Sequence, residues 1–384
     1  MHIVCDENMP GLDALAAAGA SLHRLPGRAI TREQLLEADA LLVRSVTRVD
    51  AALLAGTPVR FVGTATSGTD HIDGDALAGL GIALADAAGA NANAVVEYVL
   101  AVLAALETPL ARLLDGGRVG IVGYGHVGRC LGERLDALAI PWCATDPWLE
   151  PGVIPAPAPL AEVLASDVVT LHCSLTDHPP WPSHHLIDRA ALEQLVPGAL
   201  LINASRGPVV DNGALGEWLS ADRGMAVLDV WEHEPEVPAA LLAQVALASP
   251  HIAGYSLEAR LAGTRRVVAA LDAALGTGLA DALDPPPARV LALPSSAEGG
   301  TAALLRQLLL GRYDPRRDDR DLRQALEAAG AARAATFDRL RRDYPLRREL
   351  AGNPVRGGCA QARALAAALG CEGLAWRSGG WGRA

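Results

Sequence analysis

Arg118-Val119-Gly120-Ile121-Val122-Gly123-Tyr124-Gly125-His126-Val127-Gly128 is the stretch that decides how the rest of the chain is read. An apolar run from Arg118 to Val122 stops at three glycines spaced G-x-G-x-x-G, at Gly123, Gly125 and Gly128, and an amphipathic segment runs from Arg129 to Leu138. Strand, tight turn and helix are expected in immediate succession. Gly123 permits the turn, Gly125 lets backbone approach a pyrophosphate, and Gly128 lets helix and strand pack closely, while the helix N-terminus favours phosphate charge. The next apolar run, Trp142 to Thr145, closes on Asp146, 18 residues beyond Gly128. A carboxylate there accepts hydrogen bonds from ribose hydroxyls and repels a 2′-phosphate, which favours NAD over NADP. A methyl-donor nucleotide or a flavin could use the same glycines, so the downstream residues must decide.

Working outward, short apolar runs alternate with helical stretches to about residue 283, the pattern of a parallel α/β architecture. After Trp142–Thr145 come Asp167–His172, Ala199–Asn203, Met225–Leu228 and Val245–Ser249, which with Arg118–Val122 make the six strands of a two-halved nucleotide-binding sheet. Upstream lie His2–Cys5, Ala40–Arg44, Arg60–Gly63 and Ile82–Ala85, each ending in polar or glycine-rich loops where ligands of such folds collect. Between the two series, Asn93–Leu106 is apolar nearly all round except for Glu97 and reads as a buried connecting helix. Pro-rich loops are expected at Pro151–Pro159 and Pro179–Pro182. Ala282-Leu283-Asp284-Pro285-Pro286-Pro287 is a linker, beyond which eleven arginines between Arg312 and Arg348 are interleaved with acids, as on a solvated or interface helix.

Three segments supply chemistry: Asn203-Ala204-Ser205-Arg206-Gly207, Leu228 to Pro235, and Ser249-Pro250-His251-Ile252-Ala253-Gly254-Tyr255. Each follows an expected strand of the nucleotide domain. Together they offer one cation, one carboxylate and one imidazole, the set needed to oxidise a 2-hydroxy acid. Arg206 can bind the substrate carboxylate and polarise the oxygen at C2. His251 can remove the hydroxyl proton as hydride leaves C2, because imidazole titrates near working pH. Glu234 can hydrogen-bond His251, orient it and favour its protonated form.

Composition removes other chemistries. The 384 residues contain 33 arginines and no lysine, which excludes internal lysine Schiff bases and Walker-type phosphate loops. The net charge of -11 argues against a dedicated nucleic-acid binder. Six cysteines lie scattered with no C-x-x-C pair, which suits a reduced, cytoplasmic protein. The start shows no secretory pattern, and the most apolar run, Tyr98–Leu106, is too short to span a bilayer. His178, His184 and His185 lie in the proline-rich loop Asp177–His185 without an acid or cysteine at metal-ligand spacing, so no metal site is expected there.

Gly123 to Gly128, Asn203 to Gly207, Asp229 to Pro235 and Pro250 to Gly254 together resemble the D-2-hydroxyacid dehydrogenase family over residues 1 to about 283. The resemblance implies a two-lobed α/β protein with doubly wound parallel sheets. A flavodoxin-like substrate-binding domain would span 1–92 and 254–283, and a Rossmann NAD domain 93–253. The segment 284–384 would form a small C-terminal α+β dimerisation domain. Arg206, Glu234 and His251 would be catalytic. Gly123, Gly125, His126, Val127, Gly128, Asp146, Cys173, Asp229 and Gly254 would bind NAD, with Asp229 at the nicotinamide carboxamide. Ser45, Thr66 and Tyr255 would touch substrate, and Arg44 is the candidate phosphate grip. The expected substrate is a small phosphorylated 2-hydroxy acid of four carbons, and the expected assembly a homodimer without nucleic acid or membrane. Another D-2-hydroxy acid, such as 3-phosphoglycerate, is the alternative substrate. A non-catalytic NAD-sensing regulator is a second alternative. Where relatives have His-Thr-Pro-Leu, this chain has His172-Cys173-Ser174-Leu175, so Cys173 could offer a cofactor only its backbone.

Overall fold

The computed structural model describes the backbone of residues 1–377 and 380–383, and the side chains of residues 1–372. The chain divides into two compact units, residues 1–92 with 255–287 and residues 93–254 with 288–384.

In the first unit the strands are β1 (His2–Asp6), β2 (Ser21–Leu25), β3 (Ala40–Val43), β4 (Phe61–Thr64) and β5 (Ala83–Ala85). They form a parallel sheet in the order β2-β1-β3-β4-β5, the flavodoxin-like arrangement. The inner strands β3 and β4 are buried along their whole length, so they read as continuous apolar runs. The sequence-based reading missed β2, because in the edge strand Ser21-Leu22-His23-Arg24-Leu25 only Leu22 and Leu25 reach the core, one on each side of the sheet, so no apolar run forms. Helix Leu257–Leu275 returns across this sheet and buries Val267, Val268 and Leu271 in its core. A side chain at Gly63 would collide with Val267, so this residue sets the close approach of strand and helix.

The second unit holds β6 (Val119–Val122), β7 (Trp142–Thr145), β8 (Val168–Leu171), β9 (Ala199–Asn203), β10 (Gly224–Leu228) and β11 (Leu247–Ala248). All six anticipated strands are present, in the order β11-β10-β9-β8-β6-β7. A parallel bridge from Ala144 to Pro157 adds a short extended segment outside β7, so both halves of the expected nucleotide-binding sheet are present. The strand order reverses between β6 and β8, and the glycine turn lies at that switch point. Helix Ala92–Ala105 is buried along most of its length, Glu97 included.

The tail belongs to this second unit. Its strands β12 (Leu291–Leu293), β13 (Pro354–Gly357), β14 (Glu372–Arg377) and β15 (Gly380–Arg383) form a separate four-stranded sheet. Its helices Pro315–Ala328 and Arg333–Arg342 bury Leu322, Leu326 and Phe337 in the core of the six-stranded sheet. Several of the interleaved arginines turn inward to cap backbone carbonyls. Arg323 donates to Leu242 O and Val245 O, and Arg333 to Val237 O at 3.1 Å. Among the described residues no single helix is long and apolar enough to cross a membrane.

Candidate active site

The glycine turn has the geometry its spacing demands. Gly123 has φ 92°, in the left-handed region that favours glycine, and a side chain there would strike the Cys173 backbone. A side chain on Gly128 would strike the Gly123 carbonyl oxygen, whereas one on Gly125 would meet nothing within 4 Å. Two glycines are therefore fixed by packing inside the protein, and the third faces open space suited to a ligand. Gly125 and His126 are exposed at the start of helix His126–Ala137, which has no side-chain cap, so its first N–H groups are available to an anion.

Asp146 follows β7 and accepts from the N–H groups of Tyr124 at 2.9 Å and Trp148 at 3.1 Å, which fixes its carboxylate beside the turn. It lines a groove with Pro147, Leu149, Ile154 and Pro157, apolar on most sides and suited to an adenine ring. The proline-rich loop forms one wall, held to β7 by hydrogen bonds from Ala144 N–H to Ala156 O and from Ala158 N–H to Ala144 O, both 2.9 Å. Burial pushes the Cys173 thiol up to about 12, leaving it protonated with its backbone against the turn. Burial also pushes the neighbouring His172 imidazole down to about 3, and its Nδ1 has no hydrogen-bond partner. These features fit a bound dinucleotide.

Arg206, Asp229 and His251 leave the carboxyl ends of the neighbouring strands β9, β10 and β11. Asn203 organises the first loop by accepting from Ser205 Oγ at 2.9 Å and donating to Arg206 O at 2.9 Å. Gly207 packs so closely on the Trp231 carbonyl that no side chain would fit. The central pair is His251 Nδ1 and Glu234 Oε2 at 2.8 Å, with the other Glu234 oxygen accepting from Trp231 N–H at 2.9 Å. Burial acts to raise the Glu234 carboxyl, but His251, the field of Arg341 and the Trp231 N–H outweigh it and hold it below its ordinary value. With Glu234 an acceptor, Nδ1 carries the proton and Nε2 is the basic nitrogen.

Asp229 has a structural task that its sequence position does not reveal. It is 1% exposed; Oδ1 accepts from Ser249 Oγ at 2.6 Å and Ile252 N–H at 2.8 Å, and Oδ2 accepts from Ala253 N–H at 2.9 Å. The His251 N–H donates to Asp229 O at 2.7 Å. His251 itself has φ 58°, a conformation that a non-glycine residue keeps only where its surroundings impose it.

The first unit carries the other expected residues. Arg44 and exposed Ser45 follow β3, and Thr66 lies beyond β4 with its hydroxyl 2.8 Å from that of Thr64. Arg44 Nη2 donates to Tyr255 Oη at 2.8 Å, and the Arg44 and Arg260 guanidinium carbons lie 5.6 and 6.0 Å from the Tyr255 ring centroid. Sequence reasoning missed Arg260, whose only signal was its position five residues past Tyr255, in the first turn of helix Leu257–Leu275. Burial, with help from Arg44, lowers its affinity for its proton, and neither arginine is ion-paired among the described residues. Two facing cations without a bonded carboxylate are suited to a phosphate.

In the loop before Leu186, folding supplies the acid that local spacing lacked. His185 Nε2 lies 2.6 Å from Glu232 Oε1, and His184, His185 and Glu232 place their ligand atoms within 4.8 Å of one another. Glu232 Oε2 also accepts from Asn212 N–H at 3.1 Å. We read the group as a hydrogen-bonded latch beside the Arg206 loop.

Residues 100–253 match the model of the D-isomer specific 2-hydroxyacid dehydrogenase NAD binding domain, and residues 283–370 match a domain of unknown function (DUF3410). Among solved structures, the TT0316 protein of Thermus thermophilus matches with TM-score 0.59 and 26% identity, covering 71% of this chain and 97% of its own. The D-lactate dehydrogenase of Aquifex aeolicus, solved with NAD and lactic acid, shares the fold with TM-score 0.58 and 20% identity, covering 72% of this chain and 96% of its own. A fold of this kind, with its glycine turn and its carboxylate–imidazole pair, is that of an NAD-dependent D-2-hydroxyacid dehydrogenase. Erythronate-4-phosphate dehydrogenase of Stutzerimonas stutzeri is 47% identical over 93% of this chain and 94% of its own length. The enzyme of the same name from Azotobacter vinelandii is 47% identical over 97% of this chain and 100% of its own. The chain belongs to the erythronate-4-phosphate dehydrogenase family.

Proposed function

We infer that this protein oxidises 4-phospho-D-erythronate at C2 to (R)-3-hydroxy-2-oxo-4-phosphooxybutanoate with NAD, a step of pyridoxal 5′-phosphate biosynthesis. The observation that carries the chemistry is the 2.8 Å pairing of His251, on the loop after β11, with Glu234, on the loop after β10. His251 Nε2 takes the C2 hydroxyl proton while Glu234, on the opposite ring nitrogen, stabilises the imidazolium that forms. Arg206 holds the substrate carboxylate and draws electron density toward the C2 oxygen. The nicotinamide, when bound, accepts the hydride. The turn Gly123–Gly128 with His126 and Val127, together with Asp146, Cys173, Asp229 and Gly254, holds the dinucleotide in this reading. Arg44, Tyr255 and Arg260 take the phosphate, and Ser45 and Thr66 contact the acid.

The domain assignment follows the same reading: substrate binding by 1–92 and 254–283, NAD binding by 93–253, and dimerisation by 284–384 in a cytoplasmic homodimer. The absence of paired cysteines among the six supports a reducing compartment. Purified protein with NAD should generate reduced cofactor from 4-phosphoerythronate faster than from 3-phosphoglycerate or lactate. Equal or greater turnover of 3-phosphoglycerate would overturn the substrate, and light scattering showing a monomer would overturn the dimer.

A further inference from the structure

The two solved structures described above are matched over nearly their full length yet account for only 71–72% of this chain. The protein thus carries more than this fold requires. Part of the surplus lies against the catalytic loop. Residues 344–349, outside any helix or strand, lead into Leu350 and place Arg347, Arg348 and Glu349 in the interior at 8%, 7% and 5% exposure. Arg347 Nη2 donates to the carbonyls of Ala94 at 2.8 Å and Ala253 at 2.6 Å, and its guanidinium lies 4.3 Å from the Tyr313 ring centroid. Ala253 is two residues past His251.

We propose that Arg347 is a positioning residue for His251, and that the segment carrying it is a strap holding the catalytic loop in its reactive conformation. The proposal rests on the reading of His251 as the base. Three observations support it. The Ala253 peptide is held from both sides, its N–H by Asp229 at 2.9 Å and its carbonyl by Arg347, so strand end and tail fix the same loop. The His251 backbone at φ 58° needs such bracing. The strap is also anchored on either side of Arg347. Glu97, the lone acid of helix Ala92–Ala105, accepts from Leu350 N–H at 2.7 Å and Ala351 N–H at 2.9 Å, and Asp318 accepts from the hydroxyls of Tyr313 and Tyr344 at 2.7 and 2.8 Å. An apolar side chain would fill this space without the cost of burying a cation, but it could not hold the two carbonyls.

Full-length Arg347→Met tests the strap, with Arg347→Gln, whose amide can still donate to one carbonyl, as the conservative partner. For Arg347→Met, kcat should fall by roughly tenfold to a hundredfold, the cost of a misplaced base. NADH affinity by fluorescence titration and substrate KM should stay within about threefold, because the removed contact orients a transition-state group. Arg347→Gln should recover part of the lost kcat. A folded Arg347→Met enzyme with kcat near wild type overturns the proposal, as does an equal loss in kcat and NADH affinity. Failure of both variants to fold would make Arg347 a core residue and overturn it equally. If wild type ignores 4-phosphoerythronate, the substrate reading alone fails. The variant ratios are then measured on whichever 2-hydroxy acid the wild type oxidises.

Discussion

The loop after β11 and the arginine pair of the first unit both carry charge, but they are built in opposite ways. Around His251 the charged groups are tied to fixed partners: Glu234 on the imidazole, three N–H or O–H donors on Asp229, and two backbone carbonyls on Nη2 of Arg347, whose Nη1 has no partner. Arg44 and Arg260 instead face the same tyrosine, and among the described residues neither has an ion pair. Charge held in place by backbone suits a group that must stay put while a proton moves. Uncompensated positive charge suits a group that waits for an anion. Changes at the first site should therefore act on turnover, and changes at the second on substrate binding.

The sharpest test is His251→Ala, which should lower kcat by about 10²–10⁴-fold and leave NADH affinity nearly unchanged in a fluorescence titration. A parallel loss of cofactor binding would erase the distinction between the two sites. Next, Arg44→Ala or Arg260→Ala should raise KM for the phosphorylated substrate by roughly 10–100-fold, as expected for a lost charge-assisted contact, with a smaller change in kcat. Turnover of an unphosphorylated 2-hydroxy acid should be indifferent to either change; sensitivity there would show that these arginines do not read the phosphate. Asp146→Ser should shift the NADP-to-NAD preference by about tenfold, the scale of one charged contact, measured as a ratio of kcat/KM values. An unchanged ratio would detach Asp146 from the ribose.

The smallest effect concerns the strap. Burial, reinforced by Glu349, pushes the Glu97 carboxyl up to about 8 despite its N–H donors. A folded-state value above the unfolded one means the native state binds the extra proton, so this stabilisation is complete below about pH 4.5 and drains away as pH rises toward 8. Wild type should thus lose several degrees of Tm relative to Glu97→Gln between pH 6 and 8, at roughly 2–4 °C per kcal/mol. Parallel Tm curves for the two proteins would mean that Glu97 does not titrate in this range.

Much of this molecule was legible from short-range pattern. Buried parallel strands announce themselves as apolar runs, and Gly123 and Gly128 each answer to a local steric demand. Arg206, Glu234 and His251 could be picked out because each follows a strand end. What escaped depends on distance along the chain. β2 has no apolar run to betray it. Arg260 is one arginine among 33 until Tyr255 is seen beside it. The partnership of Glu97 with Leu350 joins residues 253 apart, and no periodicity links them. The arginine-rich tail read as a solvated or interface helix, yet its chemistry lies in the carbonyls that Arg323, Arg333 and Arg347 cap.

The contact between Arg347 and Ala253 spans 94 residues, and that separation has a consequence during synthesis. The loop leaves the ribosome long before the arginine that grips it, so it cannot complete its hydrogen bonds until the chain has been made as far as Arg347. A product terminated before Arg347 would present the cofactor domain without this contact, so the stretch of message that encodes Arg347 would gate the completion of the loop.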